Sequence, residues 1–284
     1  MIPFAGSETE ARECLRALAG MRRTDSDELV IVDNGGCNAV GAAVLGMDRP
    51  PEVLVIEASA RRSSYYARNA GARATAAEWL LFIDADCRPR ADLLDRFFDT
   101  LPAAGCGARA GLVLPAGVGD RLVERHARSR GLLDQRAFLE RPRPFAVTAN
   151  LLVRRAALEQ LEGFAEVRSG GDVDLSWRLA EHGWTVDLRD SAVVEHEHRA
   201  TFNALLRQRA RYGAGARWLE LQHPGSRPTP RPLRGAARSA QTAVAKALRG
   251  AGEEAAFNAI DAAGYIAHAI GRRLGNEPQS TPRT

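Results

Sequence analysis

The sequence predicts an α/β fold, with a mostly parallel central sheet flanked by helices and followed by a helical C-terminal extension. Three observations carry that expectation. Two unbroken apolar runs, Leu29-Val30-Ile31-Val32 and Trp79-Leu80-Leu81-Phe82-Ile83, each lead into an acid, Asp33 and Asp84. Runs of this length, bounded by turn residues, suit strands buried on both faces. The segments between them carry helical spacing, and alternating strand and helix is the pattern of a nucleotide-binding sheet whose ligands gather beyond the strands' carboxyl ends.

With 284 residues and 45% hydrophobic content, the chain can bury a domain of about 200 residues and carry an appendage. Residues 1–222 are expected to form the α/β domain, 223–235 a linker rich in proline and arginine, and 236–284 a helical extension with a disordered tail. A net charge of +4 is mild for this size, so any basic surface is local, and no nucleic-acid partner is expected. Cys14, Cys37, Cys87 and Cys106 form no CxxC pair, which argues against a structural zinc or a disulfide framework and fits a reducing compartment. No stretch approaches the roughly 18 to 20 apolar residues of a membrane span, and the start lacks the regions of a signal peptide. A cytoplasmic location follows as the expectation, with a peripheral position at the inner face of the membrane as its variant.

In chain order, Ile2-Pro3-Phe4 reads as the end of a first strand, and Glu8 to Ala19 has apolar residues at 11, 14, 15 and 18, a helical face. Leu29 to Val32 is the second strand, Val53 to Ile56 the third, and Tyr65 to Glu78 a helix leading into the strand that ends at Ile83. Neither GxGxxG nor GxxxxGK[ST] follows any strand, so phosphates must be held otherwise, by a metal on Asp86 and a cation such as Arg68. Apolar residues at 93, 94, 97, 98 and 101 mark an amphipathic helix. Residues 119–145, rich in arginine and interrupted by Pro142 and Pro144, read as irregular.

Three constellations carry chemistry. If the chain stays extended past Ile83, Asp84 and Asp86 fall on one side of the strand end, where a divalent ion with a phosphate-bearing ligand fits; the bland alternative is an acidic turn before a helix. Val173, Trp177, Leu175 and Leu179 place a helix from near Asp172 to Gly183, with Asp172 and Asp174 in its first turn. That position favours ionised carboxylates, suited to capping or to a general base, and Gly170 and Gly171 let the backbone pass close to a ligand. After the strand-like Ala192-Val193-Val194, alternation puts His196 and His198 on one side, facing a metal, a phosphate or solvent. A helix from Thr201 to Gln222 then carries Gln208, Arg211 and Tyr212, on a plain surface face or in a site.

Taken in order, these residues resemble a family 2 glycosyltransferase of the GT-A fold type. The resemblance rests on Ile2-Pro3-Phe4, Val30-Ile31-Val32-Asp33-Asn34-Gly35, Ala67-Arg68-Asn69-Ala70-Gly71, Asp84-Ala85-Asp86 and Asp172-Val173-Asp174-Leu175-Ser176-Trp177-Arg178-Leu179, and it covers roughly residues 1–215. It implies a metal-dependent (Mn2+ or Mg2+) inverting transfer from a nucleoside-diphosphate sugar to an acceptor hydroxyl. By resemblance, Pro3 and Asp33 would meet the nucleotide base, Asp84 the ribose, Arg68 the diphosphate, Asp86 the metal and His196 the metal or a phosphate. Asp172 would be the catalytic base, and Gln208, Arg211 and Tyr212 resemble the QxxRW motif of processive members, with tyrosine for tryptophan. The chain departs from many relatives at Gly171, where they carry glutamate; this leaves Asp172 as the obvious base and Asp174 as the fallback. A non-catalytic nucleotide-sugar-binding module and a nucleotidyltransferase on a related sheet are the rival readings.

Beyond the shared pattern, Pro224 to Gly252 contains no acid but carries Arg227, Arg231, Arg234, Arg238, Lys246 and Arg249. Such a segment suits peripheral contact with anionic lipid, or a solvated helix packed back on the domain.

Overall fold

The computed structural model describes residues 1–117, 120–196, 201–226 and 231–280. Strand β1 (Ile2–Phe4) leads into α1 (Glu8–Ala19), which starts at a capping box between Ser7 and Glu10 and buries Ala11, Cys14, Leu15 and Leu18, the face that the spacing predicts. Next come β2 (Val30–Asp33), α2 (Ala39–Leu45), β3 (Leu54–Glu57), the short β4 (Arg61–Arg62) and α3 (Ser64–Arg73). The predicted helix to Glu78 ends early for an identifiable reason. Arg155 donates to the carbonyls of Ala72 (3.0 Å) and Ala77 (2.7 Å) and to Thr75 Oγ1 (2.9 Å), holding this stretch as a loop.

Strand β5 (Trp79–Ile83) has the predicted bounds, and β6 (Cys87–Pro89) follows after a turn. Helix α4 (Leu93–Phe98) is shorter than predicted and leaves Leu101 91% exposed. After β7 (Cys106–Pro115), the stretch expected to be irregular contains two helices, α5 (Leu122–Ser129) and α6 (Gln135–Leu139). Their arginines are not merely solvated: Arg130 pairs with Asp261 at 2.8 Å and Arg125 with Glu253 at 2.6 Å. Then come β8 (Asn150–Arg154), α7 (Arg155–Gln160), α8 (Gly171–Glu181), β9 (Thr185–His196) and α9 (Phe202–Gln222).

Strands β1, β2 and β3 form a wholly parallel sheet in the order β1-β2-β3, and the remaining large sheet runs β5-β8-β7-β9-β6. Met1 joins the two, because its nitrogen donates to Leu81 O (2.7 Å) and its carbonyl accepts from Ile83 N (3.2 Å), the hydrogen-bond pattern of a parallel bridge. In the second half β7 and β9 are parallel, while β8 and β6 run antiparallel to their neighbours.

Both faces of this sheet are covered, which explains the unbroken apolar runs. Val30, Val32, Phe82, Leu151 and Val153 face a layer containing α3, α7 and α8, whereas Ile31, Ile83 and Leu152 face one containing α1, α2 and α4. Phe82 is fully buried, and truncating such a side chain to alanine costs about 3–5 kcal/mol. Cys14, Cys87 and Cys106 are buried free thiols, and Cys37 is exposed.

The C-terminal region packs back on this core. Helices α10 (Pro232–Leu248) and α11 (Gly252–Gly271) form a hairpin turned at Gly250 (φ 75°), and β10 (Gln279–Ser280) pairs with β4. Glycines let α9 and α11 approach closely: a Cβ at Gly213 would strike His268 O, and one at Gly271 would strike Ala210 O. Arg272 clamps Glu220 through two hydrogen bonds of 2.7 and 2.6 Å. Among the described residues, no helix is long and apolar enough to cross a membrane. His198, Arg227 and residues 281–284 of the expected tail lie outside the described residues.

Candidate active site

The carboxyl ends of β1 and β5, the start of α8 and the flank of α9 enclose a cleft of about 1030 Å3. Asp84, Asp86 and Asp172 all line it, with Pro3, Arg68, Arg211 and Tyr212. Asp84 and Asp86 converge for a reason other than the predicted strand alternation. The chain leaves extended geometry after Ile83 and turns tightly, with Cys87 N donating to Asp84 O at 3.0 Å.

Arg68 projects from α3 and is almost wholly buried; its Nη2 donates to Asp84 Oδ1 at 2.5 Å, and its guanidinium lies 5.3 Å from the Tyr65 ring centroid. Its Nε is buried with no hydrogen-bond partner among the described residues.

Asp86 meets β9 across the turn. His196 sits opposite Cys87 in the β6–β9 register, and its Nε2 lies 3.3 Å from Asp86 Oδ1. Ligand atoms of Asp86, Cys87 and His196 fall within 4.8 Å of one another. Burial and then the Asp84 and Asp86 carboxylates push the Cys87 thiol well up, and it faces Ala149 O at 3.6 Å. A carboxylate and an imidazole therefore remain as donors. The carboxylate suits Mn2+ or Mg2+, which take oxygen ligands and complete their shells with water and phosphate oxygens, and the imidazole favours Mn2+ over the harder Mg2+.

Asp172 opens α8 and is half-buried at the cleft wall. Its Oδ1 accepts from Tyr65 Oη (2.9 Å) and from Val173 N (3.0 Å). The helix terminus was expected to keep this group readily ionised, but the net effect runs the other way. Burial raises its pKa, against the opposing pull of Tyr65, Arg68 and the Val173 amide. Asp174 does not line the cleft; it is buried between Arg178 Nε (2.8 Å) and His223 Nε2 (2.9 Å).

Three of the expected positions, Asp33, Gln208 and His196, lie off the main cleft. Asp33 is buried behind the rim formed by Pro3, Phe4, Ala5 and Gly6; its Oδ1 accepts from Gly35 N (2.9 Å), and its Oδ2 has no hydrogen-bond partner among the described residues. Gln208 borders a smaller space shared with His196, Arg209 and Tyr212. Sequence reading missed Tyr65, for which the one available signal was its i,i+3 relation to Arg68 on α3. It also missed Asn276, whose side chain donates to Ser169 O (2.9 Å) and whose carbonyl accepts from Arg168 N (2.9 Å), tying the C-terminal region to the loop before Asp172.

Residues 79–250, more than half of the chain, match the model of glycosyl transferase family group 2. A pre-mycofactocin glycosyltransferase of Mycobacterium tuberculosis is 29% identical over 235 residues, 79% of this chain and 47% of that protein. The chain thus spans about half the length of that relative. Glycosyltransferase AglE of Haloferax volcanii is 26% identical over 223 residues, covering 76% of this chain and 71% of that protein. Among solved structures, the mannosyltransferase PcManGT from Pyrobaculum calidifontis, in complex with GDP-Man and Mn2+, superposes with a TM-score of 0.66 at 18% identity, covering 95% of this chain and 84% of that one. Glucosyl-3-phosphoglycerate synthase from Mycobacterium tuberculosis, in complex with Mn2+, UDP and phosphoglyceric acid, gives 0.54 at 18% identity over 80% and 78% of the two chains. At these identities the structures establish the GT-A type fold, and the sequence match settles the family: the chain belongs to glycosyl transferase family group 2.

Proposed function

We propose that the chain is a divalent-metal-dependent inverting glycosyltransferase that moves a sugar from a nucleoside-diphosphate sugar to an acceptor hydroxyl. The observation that supports this best is the opening of Asp84, Asp86 and Asp172 onto one cleft that Arg68 also lines. Pro3 and the buried Asp33 would bound the base, Asp84 would accept from the ribose, and Arg68, with Arg211, would face the diphosphate. Asp86 and His196 would hold the cation, which when bound supplies neutralisation of charge on the departing diphosphate.

Asp172 acts on the acceptor side. Its carboxylate takes the hydroxyl proton as that oxygen attacks the anomeric carbon from the face opposite the leaving group, which inverts the centre. A carboxyl whose pKa is raised by burial accepts a proton more readily than an exposed one, provided that it is ionised at the working pH.

Residues 1–222 would form the catalytic domain, with the helices beyond residue 231 as a buttress. Peripheral contact with anionic lipid would run through α10. Leu233, Ala237, Ala240, Val244 and Leu248 recur at helical spacing and are exposed, with Arg234, Arg238 and Arg249 beside them and no acid on the helix.

The test is a panel of labelled nucleotide sugars with acceptor extracts and Mn2+. Release of nucleoside diphosphate with transfer of label supports the reading; release of pyrophosphate marks a nucleotidyltransferase, and binding without turnover marks a binding module. A thermal-shift panel of nucleoside diphosphates with and without manganese identifies the base, since a ligand that binds only the folded state raises its stability.

A further inference from the structure

Gly171 stands directly before the proposed base, and the space that a side chain there would need is already filled. A Cβ built on Gly171 would lie 2.9 Å from Cγ and Cδ2 of Tyr65 and 3.0 Å from its Cδ1, closer than real Cβ atoms come. The Tyr65 ring is 6% exposed and is held on another side by Phe164, with ring centroids 5.7 Å apart. Seated against bare backbone, it aims its hydroxyl at Asp172 Oδ1, 2.9 Å away.

Both hydrogen bonds to Asp172 fall on that same oxygen, the second coming from Val173 N at 3.0 Å. Two hydrogen bonds on Oδ1 restrict rotation of the carboxylate. One oxygen is held by both bonds, and the residue lines the cleft.

We propose that Tyr65 is a positioning residue for Asp172, seated by Gly171, and that this pair holds and orients the base. The proposal rests on Asp172 being the base. Among the described residues, Tyr65 and Arg68 on α3 and Tyr212 on α9 interact electrostatically with Asp172, and Asp84, Arg209 and Arg211 bear on Tyr212 and Arg68 in the same cleft. Burial, with the Asp172 charge, pushes the Tyr65 phenol well above its ordinary range, so it remains a donor at any working pH. Its hydrogen bond favours the ionised carboxylate and opposes the upward push of burial on Asp172.

Tyr65→Phe keeps the ring and removes the donor. We expect kcat for transfer to fall roughly 10-fold, in line with the loss of a hydrogen bond to a charged group, with the donor KM little changed. The acid limb of the kcat–pH profile should move to higher pH, because the ionised base loses a stabilising partner. Gly171→Ala, which dislodges the ring, should lower kcat similarly, and adding it to Tyr65→Phe should lower kcat no further. Carboxyl NMR gives a readout free of turnover: the Asp172 resonance, assigned by its loss in Asp172→Asn, should titrate at higher pH in Tyr65→Phe. An unchanged Asp172 titration, or an unchanged kcat and pH profile in Tyr65→Phe while Asp172→Asn is inactive, overturns the proposal and leaves the base assignment standing. Full transfer by Asp172→Asn overturns the base assignment itself.

Discussion

Arg68 and Asp84 form an ion pair of 2.5 Å in which the guanidinium side chain is 3% exposed and the carboxylate 37%. Both groups line the cleft, and the buried guanidinium holds Asp84 oriented before any ligand arrives. Lysine at this position keeps the charge but not the fork of donors. Arg68→Lys is expected to weaken nucleoside-diphosphate binding by about 10-fold and to lower the melting temperature by a few degrees, consistent with a lost charge-assisted hydrogen bond. Calorimetry and a thermal melt on the same sample check both.

Asp86 lies 3.3 Å from His196 Nε2 and is partly exposed at a turn rather than packed in the apolar core. Asp86→Ala should abolish the manganese-dependent part of nucleoside-diphosphate binding while leaving the circular dichroism spectrum intact. Unchanged manganese-dependent affinity by titration calorimetry would remove Asp86 from the metal site.

The α5–α11 junction predicts an acid sensitivity of stability. Asp261 accepts from buried His126 (Nε2, 2.7 Å) and pairs with Arg130 (2.8 Å); burial alone would raise its pKa, but these partners hold it below the ordinary value. A carboxyl depressed in the folded state contributes stability that is present above its unfolded pKa, about 3.9, and lost as pH falls through the folded value. Asp261→Asn should therefore cost about 1–3 kcal/mol at pH 6, and the difference from the parent should shrink below pH 4. Urea melts at the two pH values measure this.

Much of this architecture was legible in the sequence, because burial on both sheet faces leaves a local trace. Trp79 to Ile83 reads as a strand with its true bounds, and the α8 pattern ends at Gly183, whose φ of 82° suits the residue just past a helix. What was not legible depends on distant partners. Helices α5 and α6 hide behind a composition of arginine and proline, and the acids that pair with α5 and its C-terminal end, Glu253 and Asp261, lie more than a hundred residues away. The convergence of Asp84 and Asp86 was anticipated, but through strand alternation, whereas a turn produces it. The direction of the Asp172 shift could not be foreseen from its helix position, since the wall that buries it is built by α3 and α9.

The exposed stripe of α10 makes a separate prediction. If it meets anionic lipid, the chain should sediment with phosphatidylserine-containing vesicles at low salt and dissociate as salt rises, because screening weakens attraction between surface charges. Leu248→Glu, at a position 84% exposed, should weaken this binding without altering the fold. Absence of sedimentation at low salt excludes the contact.

The two acids of α8 separate chemistry from structure. Asp172 lines the cleft with its Oδ1 held by two hydrogen bonds, whereas Asp174 is 4% exposed and joins Arg178 to His223. Asp172→Asn preserves shape and removes the base, so transfer should fall by about 100-fold or more with donor binding retained. Asp174→Asn instead leaves the Arg178 cation without its carboxylate in a largely buried setting, and should cost about 2–4 kcal/mol of stability, while kcat of the folded fraction changes little. Kinetics and urea melts on the two variants together decide the matter. If Asp174→Asn lost transfer at full stability and Asp172→Asn kept it, the base would be Asp174, reached by a rearrangement of α8; if both stayed active, an inverting displacement in this cleft would have no carboxylate to accept the proton.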